Sequence, residues 1–177
     1  MTFRPRVAIE IMLSLAILPA LAGVAYLAGL RVNLTPSYPL GLWRIEPLGS
    51  DVAVGDRIFI CPPRTSAFEL ARDRGYLGHG LCPGCFSPLI KTVVAVAGQH
   101  VVVAGEITID GIRLAHSSVR PTDGEGRALA AASSGVVPPG QLFLFSEFAG
   151  SYDSRYFGPI PDDGVLGLAH PLLVFAP

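Results

Sequence analysis

Charge is what this chain has least of. Only 15% of its 177 residues are charged, against roughly 25% in an ordinary soluble domain, and the net formal charge is -1. No Lys/Arg cluster interrupts it. A protein that binds nucleic acid by neutralising phosphates needs a basic patch, so that class of partner is excluded. Lysine is almost missing: of 13 basic residues one, Lys91, is a lysine. Three cysteines are too few for a disulfide-dense scaffold, and with 50% hydrophobic residues the chain cannot be a disordered or acidic tail.

The apolar excess has an address. From Ile11 to Leu30 no residue is charged. About 20 such residues suffice to cross a hydrocarbon core as a helix, and Pro19 is tolerated there better than in water. Arg4 and Arg6 precede the run, which favours keeping that end in the cytoplasm. The expected organisation is a cytoplasmic tail (1–6), a transmembrane anchor (7–30) and a periplasmic domain (31–177). A cleaved signal peptide is the competing reading, with Ala20, Ala22 and Ala25 as small residues for cleavage. Its apolar region runs longer than the usual ~7–15 residues.

Beyond Arg31, short runs rich in Val, Ile and Phe alternate with Gly/Pro breaks, which predicts a mainly β domain. Strands are expected at Leu42–Ile45, Arg57–Cys61, Leu89–Ala97, Val101–Val103, Glu106–Ile109, Gln141–Phe145 and Leu172–Phe175. Asp110-Gly111 between Ile109 and Ile112 predicts a two-residue hairpin turn. Ser66-Ala67-Phe68-Glu69 has capping-box spacing, with Gly75 placed to end the helix. The Ala/Ser/Gly/Pro-rich stretch 117–140 predicts a loop or mobile excursion.

The lone lysine sits in Pro-Leu-Ile-Lys-Thr-Val-Val-Ala-Val-Ala, apolar on both strand faces. Such a strand is covered on both sides, and burial disfavours a charged amine. A buried lysine can reach a pKa of roughly 7–8 and act as a base, which arginine cannot do. A lysine that snorkels to water from a strand end is the plainer alternative. The anchor is followed by Thr35-Pro36-Ser37-Tyr38-Pro39-Leu40-Gly41, where two prolines restrict the backbone around a serine. The segment reads either as a stiff linker or as a loop that presents a nucleophile. A nucleophilic serine needs a base, and none of His79, His100, His116 and His170 lies in a recognisable triad context.

Three segments together resemble the type I signal peptidases, and within them the TraF-type branch that matures conjugative pilins. Ser37-x-Pro39-x-Gly41 resembles the nucleophile motif, Lys91 with Gly98 the general-base motif, and Ser151-x-Asp153-Ser154-Arg155 followed by Gly158 the third motif. All stand in family order behind an N-terminal apolar segment. Two departures separate the chain from housekeeping signal peptidases. Tyr38 follows the serine, and Phe145-Ser146-Glu147-Phe148 replaces a Gly-Asp-Asn-Arg element.

The resemblance implies a signal-peptidase-like β-rich catalytic domain with a Ser/Lys dyad, behind one transmembrane helix in a bacterial inner membrane. It implies Ser37 as nucleophile, Lys91 as base, Ser151 as the residue that orients the amine, and Asp153 as a third catalytic residue. Arg155 and Ser154 would give structural support. The Ser37 N–H and the Thr35 hydroxyl would form the oxyanion hole. It calls for no cofactor and no metal. The implied partners are the bilayer, a preprotein such as a pilin precursor, and other proteins of the conjugation apparatus. After acylation, water would give a cut protein and an internal amine a cyclic one. A non-catalytic assembly factor on the same anchor is the rival class. Cys82-Pro83-Gly84-Cys85, with His79 upstream, leaves open a Cys82–Cys85 disulfide, a reduced pair, or a metal or redox module.

Overall fold

In a computed structural model, the chain is described over residues 5–175, with side chains from residue 15 and from residue 17 onward. The tail expected over 1–6 and the side chains 7–14 and 16 of the expected anchor fall outside that range. Helix α1 spans Pro5–Leu27 and contains Pro19. Leu15, Ile17, Leu18, Leu21, Val24 and Leu27 are all exposed on it. Among the described residues no helix is long and apolar enough to cross a membrane.

A seven-stranded antiparallel sheet follows. Its strands are β1 (Leu30–Asn33), β2 (Leu40–Glu46), β3 (Arg57–Ile60), β5 (Leu89–Ala95), β10 (Gln141–Phe145), β11 (Ile160–Pro161) and β12 (Val165–Phe175), and its order is β1-β2-β12-β3-β5-β10-β11. Strand β4 (His79–Cys82) lies between helix α2 (Ser66–Asp73) and β5. A four-stranded sheet in the order β8-β7-β6-β9 carries β6 (His100–Val103), β7 (Ile107–Ile109), β8 (Ile112–Arg113) and β9 (Gly135–Val136). Helix α3 (Ser154–Phe157) is one short turn.

Both faces of the large sheet are covered, as the apolar strand around Lys91 implies. Along β3, Ile58 and Ile60 enter one core with Phe68, Phe86, Val93 and Leu144, while Phe59 enters another with Trp43, Ile90 and Ala169. That is period-two alternation with two dry sides. The Asp110-Gly111 turn forms with φ +50° and +81°, the left-handed pair a tight hairpin needs.

Three expectations change. Helix α2 begins at Ser66 as expected, but its N-cap is Thr65, with no side-chain cap bond, so the capping box is not formed. Gly75 (φ +77°) does close the helix: its N–H and that of Tyr76 donate to Arg72 and Ala71 carbonyls. Strand β12 is far longer than Leu172–Phe175 and runs through Pro171. Its pairing with β3 ends at Leu168, so Pro171 pairs with β2 alone and its missing N–H breaks no ladder on the other side. The stretch 117–140 holds little regular structure, yet it is packed down. Ser117 is buried, and the Ala132 N–H donates to the Arg155 carbonyl at 2.8 Å.

The candidate Cys82–Cys85 disulfide is not formed. Cys82 bonds to Cys61, with Cα atoms 5.4 Å apart, and Cys85 is the free, exposed thiol. Cys61 follows β3 and Cys82 ends β4, so the bond joins two strands. Cys85 sits in a tight turn, with Gly84 at φ +79° and Cys85 at +60°, and that turn carries it to the surface. With two of three thiols so used, the metal reading loses its sulfur ligands.

Candidate active site

The expected site residues come from three separate parts of the chain. Lys91 lies in β5 opposite Ile58 of β3, on the strand face of Leu89 and Val93. Ser37 lies in the loop between β1 and β2. Ser151, Asp153, Ser154 and Arg155 lie between β10 and α3 and in α3 itself.

The fold brings these together. The Lys91 amine donates to Ser151 Oγ at 2.7 Å, and the Ser37 hydroxyl donates to the same oxygen at 3.4 Å. Lys91 and Ser151 are 3% and 2% exposed, whereas Ser37 is only half-buried. Lys91 and Ser37 thus flank one shared acceptor, with the amine dry and the Ser37 hydroxyl reachable. Burial pushes the Lys91 amine down to about 8. Nearby Asp153 pulls it back up, and Arg155 pushes it further down.

Asp153 and Arg155 form a fully buried ion pair, with both guanidinium contacts at 2.8 Å. Asp153 also caps α3, accepting from the Arg155 N–H at 3.2 Å. Arg155 Nη2 donates to the carbonyls of Ser146, Phe148 and Ser151, each at 3.3 Å. Arg155 therefore folds the loop that presents Ser151. The Ser154 hydroxyl accepts from the Leu144 N–H at 2.9 Å and ties α3 to β10. Asp153 has no direct bond to Lys91 or Ser37, so it acts on the amine through space.

The loop that carries Ser37 is held by Asn33, a buried residue the sequence reading passed over. Its amide donates to the carbonyls of Thr35, Tyr38 and Pro39 at 2.9–3.0 Å. The Thr35 hydroxyl, an expected oxyanion donor, donates to Asn33 Oδ1 at 2.7 Å. Its one proton is therefore committed to the loop in this arrangement. The Tyr38 hydroxyl bonds to Thr92 Oγ1 at 2.7 Å and donates to the Phe145 carbonyl at 3.2 Å. Gly41 takes φ +126°, and a Cβ there would run into the backbone of β12 at Leu173 and Val174. The glycine of the first motif thus serves the packing of β2 on β12.

Ser146 is the second missed residue. It is buried, and its hydroxyl donates to the Ser37 carbonyl at 2.6 Å. Its N–H donates to Asp153 Oδ2 at 3.2 Å. It therefore couples the buried ion pair to the Ser37 peptide. The only signal was its position in the segment that departs from the housekeeping pattern.

The sequence profile of the signal peptidase, peptidase S26, family matches residues 5–173. The chain belongs to that family. Signal peptidases of this family are serine peptidases, so the hydroxyl cluster around Lys91 lies in a hydrolase fold. The chain is 60% identical over 151 residues to a conjugal transfer protein TraF of Agrobacterium fabrum, covering 85% of this chain and 86% of that one. It is 35% identical over 160 residues to a plasmid transfer protein TraF of Escherichia coli, covering 88% and 89%. A signal peptidase I from Enterococcus faecalis aligns over 67% of this chain and 97% of its own, at 21% identity and a TM-score of 0.42.

Proposed function

We propose that this signal peptidase is a membrane-anchored endopeptidase with a Ser37/Lys91 dyad, and that it matures a conjugative pilin precursor on the periplasmic face of a bacterial inner membrane. The observation that carries the reading is the shared acceptor. A desolvated amine and a half-buried serine meet at Ser151 Oγ. Lys91 makes no ion pair, and nothing among the described residues holds its proton as a carboxylate contact would.

The neutral Lys91 amine donates one N–H to Ser151, which leaves its lone pair to receive the Ser37 proton once that hydroxyl turns from Ser151 Oγ to the amine. Ser37 Oγ then attacks the scissile carbonyl. The Ser37 N–H faces the developing oxyanion as one donor. The Thr35 hydroxyl serves as the second only by leaving Asn33 Oδ1. The protonated lysine returns its proton to the departing amine, and an acyl-serine remains. Water releases a cut protein; an amine of the same substrate would release a ring. The uncharged run Ile11–Leu30 and the preceding arginines support the anchor and its orientation. The kinship to proteins called conjugal transfer protein TraF supports the choice of a conjugative substrate.

The test is the intact mass of a pilin precursor co-expressed with the wild-type chain and with Lys91→Ala. Shortening by wild type and a whole precursor with Lys91→Ala is the expected result, and a further loss of one water marks cyclisation. Equal processing in both removes Lys91 as the base and ends the reading.

A further inference from the structure

A second pocket of about 300 Å³ opens beside Ser151. It meets the main cleft at Tyr76, Gly150 and Tyr152, which line both. The main cleft contains Ser37 and Lys91; the second pocket takes nothing from α1, β1 or the nucleophile loop. The two share residues on the Ser151 side, so a peptide lying across the dyad has this pocket as its neighbour there.

Three arginines and two carboxylates line this pocket: Arg74, Arg120, Arg127, Asp123 and Glu125. Both carboxylates are taken by one arginine, since Arg127 pairs with Asp123 at 2.6 Å and with Glu125 at 3.1 Å. The Tyr76 hydroxyl also donates to Asp123. Tyr76 and Arg127 hold that carboxyl well below the usual range, so it stays charged and paired. Arg74 Nη1 donates to the Ala128 carbonyl at 2.8 Å and to the Tyr76 hydroxyl at 3.5 Å, and Arg74 makes no ion pair among the described residues. The Arg120 side chain makes no hydrogen bond or ion pair among the described residues; only its backbone N–H is held, by the Tyr156 hydroxyl at 3.2 Å. Two guanidiniums without a carboxylate thus face one pocket.

The segment that supplies Arg120 and Arg127 is fixed to the active site. Arg155 Nη1 donates to the Ser118 carbonyl at 3.0 Å, and Arg127 Nη2 to the Arg74 carbonyl at 3.2 Å. The pocket is a built extension of the loop that carries Ser151.

We propose that this pocket is a subsite for a carboxylate on the substrate peptide, held by Arg120 and Arg74 where the chain passes Ser151. The inference rests on the peptidase reading for the identity of the peptide, and not for the binding itself. Planar guanidiniums recognise carboxylates through paired N–H donors, which neutral amides do not match. A side-chain carboxylate and a free C-terminus share this chemistry.

The experiment measures fluorescence anisotropy of dansyl tetrapeptides on the full-length Ser37→Ala chain in detergent, where no turnover occurs. One peptide carries glutamate and an amidated end, a second glutamine and a free end, a third glutamine and an amidated end. At least one carboxylate peptide should bind about tenfold tighter than the neutral one, and which of the first two does so names the source. Arg120→Gln should abolish that preference with an unchanged melting temperature, because its side chain bonds to nothing else. Arg74→Gln should weaken it in the same direction. Equal binding of all three peptides, no binding of any, or a preference that survives Arg120→Gln overturns the subsite. Because the readout needs no catalysis, a precursor left whole by the wild-type chain would sink the peptidase reading and leave this result standing.

Discussion

Two buried cations lie side by side in this molecule, and they have opposite fates. Arg155 is fully buried and Lys91 is 3% exposed. Arg155 meets a bidentate carboxylate and four backbone carbonyls. Lys91 meets one neutral hydroxyl. Depth is the same and supply of acceptors is not: the guanidinium serves as a clamp, while burial drives the amine toward its neutral form. The ion pair beside the amine acts on it with both signs, Asp153 raising its pKa and Arg155 lowering it, and burial decides the outcome.

Replacing one cation by the other's type breaks the contrast most sharply. Lys91→Arg should lose precursor cleavage by about 10⁴-fold, as completely as Lys91→Ala, in a quantitative single-turnover assay, because arginine cannot give up its proton. Detectable cleavage by Lys91→Arg would mean that the positive charge, not the base, matters.

The reverse exchange should cost structure. Arg155→Lys cannot pair bidentately with Asp153 or hold three carbonyls at one nitrogen, and a broken buried pair costs about 3–5 kcal/mol. For a domain of this size that is a fall in melting temperature of roughly 10 °C. An unchanged melting curve would show that the carbonyl clamp is idle.

Titration sharpens the contrast further. Cleavage at limiting substrate should rise with pH and level off above a midpoint near 8, as Lys91 loses its proton. The same shift has a stability sign. The folded pKa of about 8 lies below the ordinary 10.5, so the folded chain binds fewer protons than the unfolded one. The penalty is full below pH 8 and fades as pH rises toward 10.5. Lys91→Met should therefore be more stable than wild type by about 3 kcal/mol at pH 7, with the gap closing by pH 10 to 11 in urea titrations. A gap that is constant with pH would place a charged lysine in the fold.

The smallest effect belongs to Ser146, which links the two cations' surroundings to Ser37. Ser146→Ala frees the Ser37 carbonyl and should lower kcat by about tenfold with little change in KM, the cost of one neutral hydrogen bond. A change confined to KM would assign Ser146 to substrate binding instead.

Much of this was legible in the residues. Short runs rich in Val, Ile and Phe, bounded by turn residues, located β3, β5, β6, β7 and β10 to within a residue or two, because a strand covered on both faces is apolar along most of its length. The three motifs named the residues that meet around Ser151. The strands β1, β4, β9 and β11 were missed because they are short and stabilised by neighbours, not by their own pattern, and β8 was marked only by the hairpin turn before it. Strand β12 was cut short because proline reads as a stop until one knows that no second strand flanks it there.

The sequence by itself determined which groups could do chemistry: one lysine in an apolar strand, a serine between prolines, and an aspartate two residues before an arginine. Local pattern and side-chain chemistry suffice for that. Only the tertiary structure decided which groups meet. It paired Cys82 with Cys61 in place of Cys85, gave Thr35's proton to Asn33, and put Ser146 on the Ser37 carbonyl. Those contacts join residues from separate strands and loops, and their distances are set by sheet order and by how loops close over it, which no window of sequence contains.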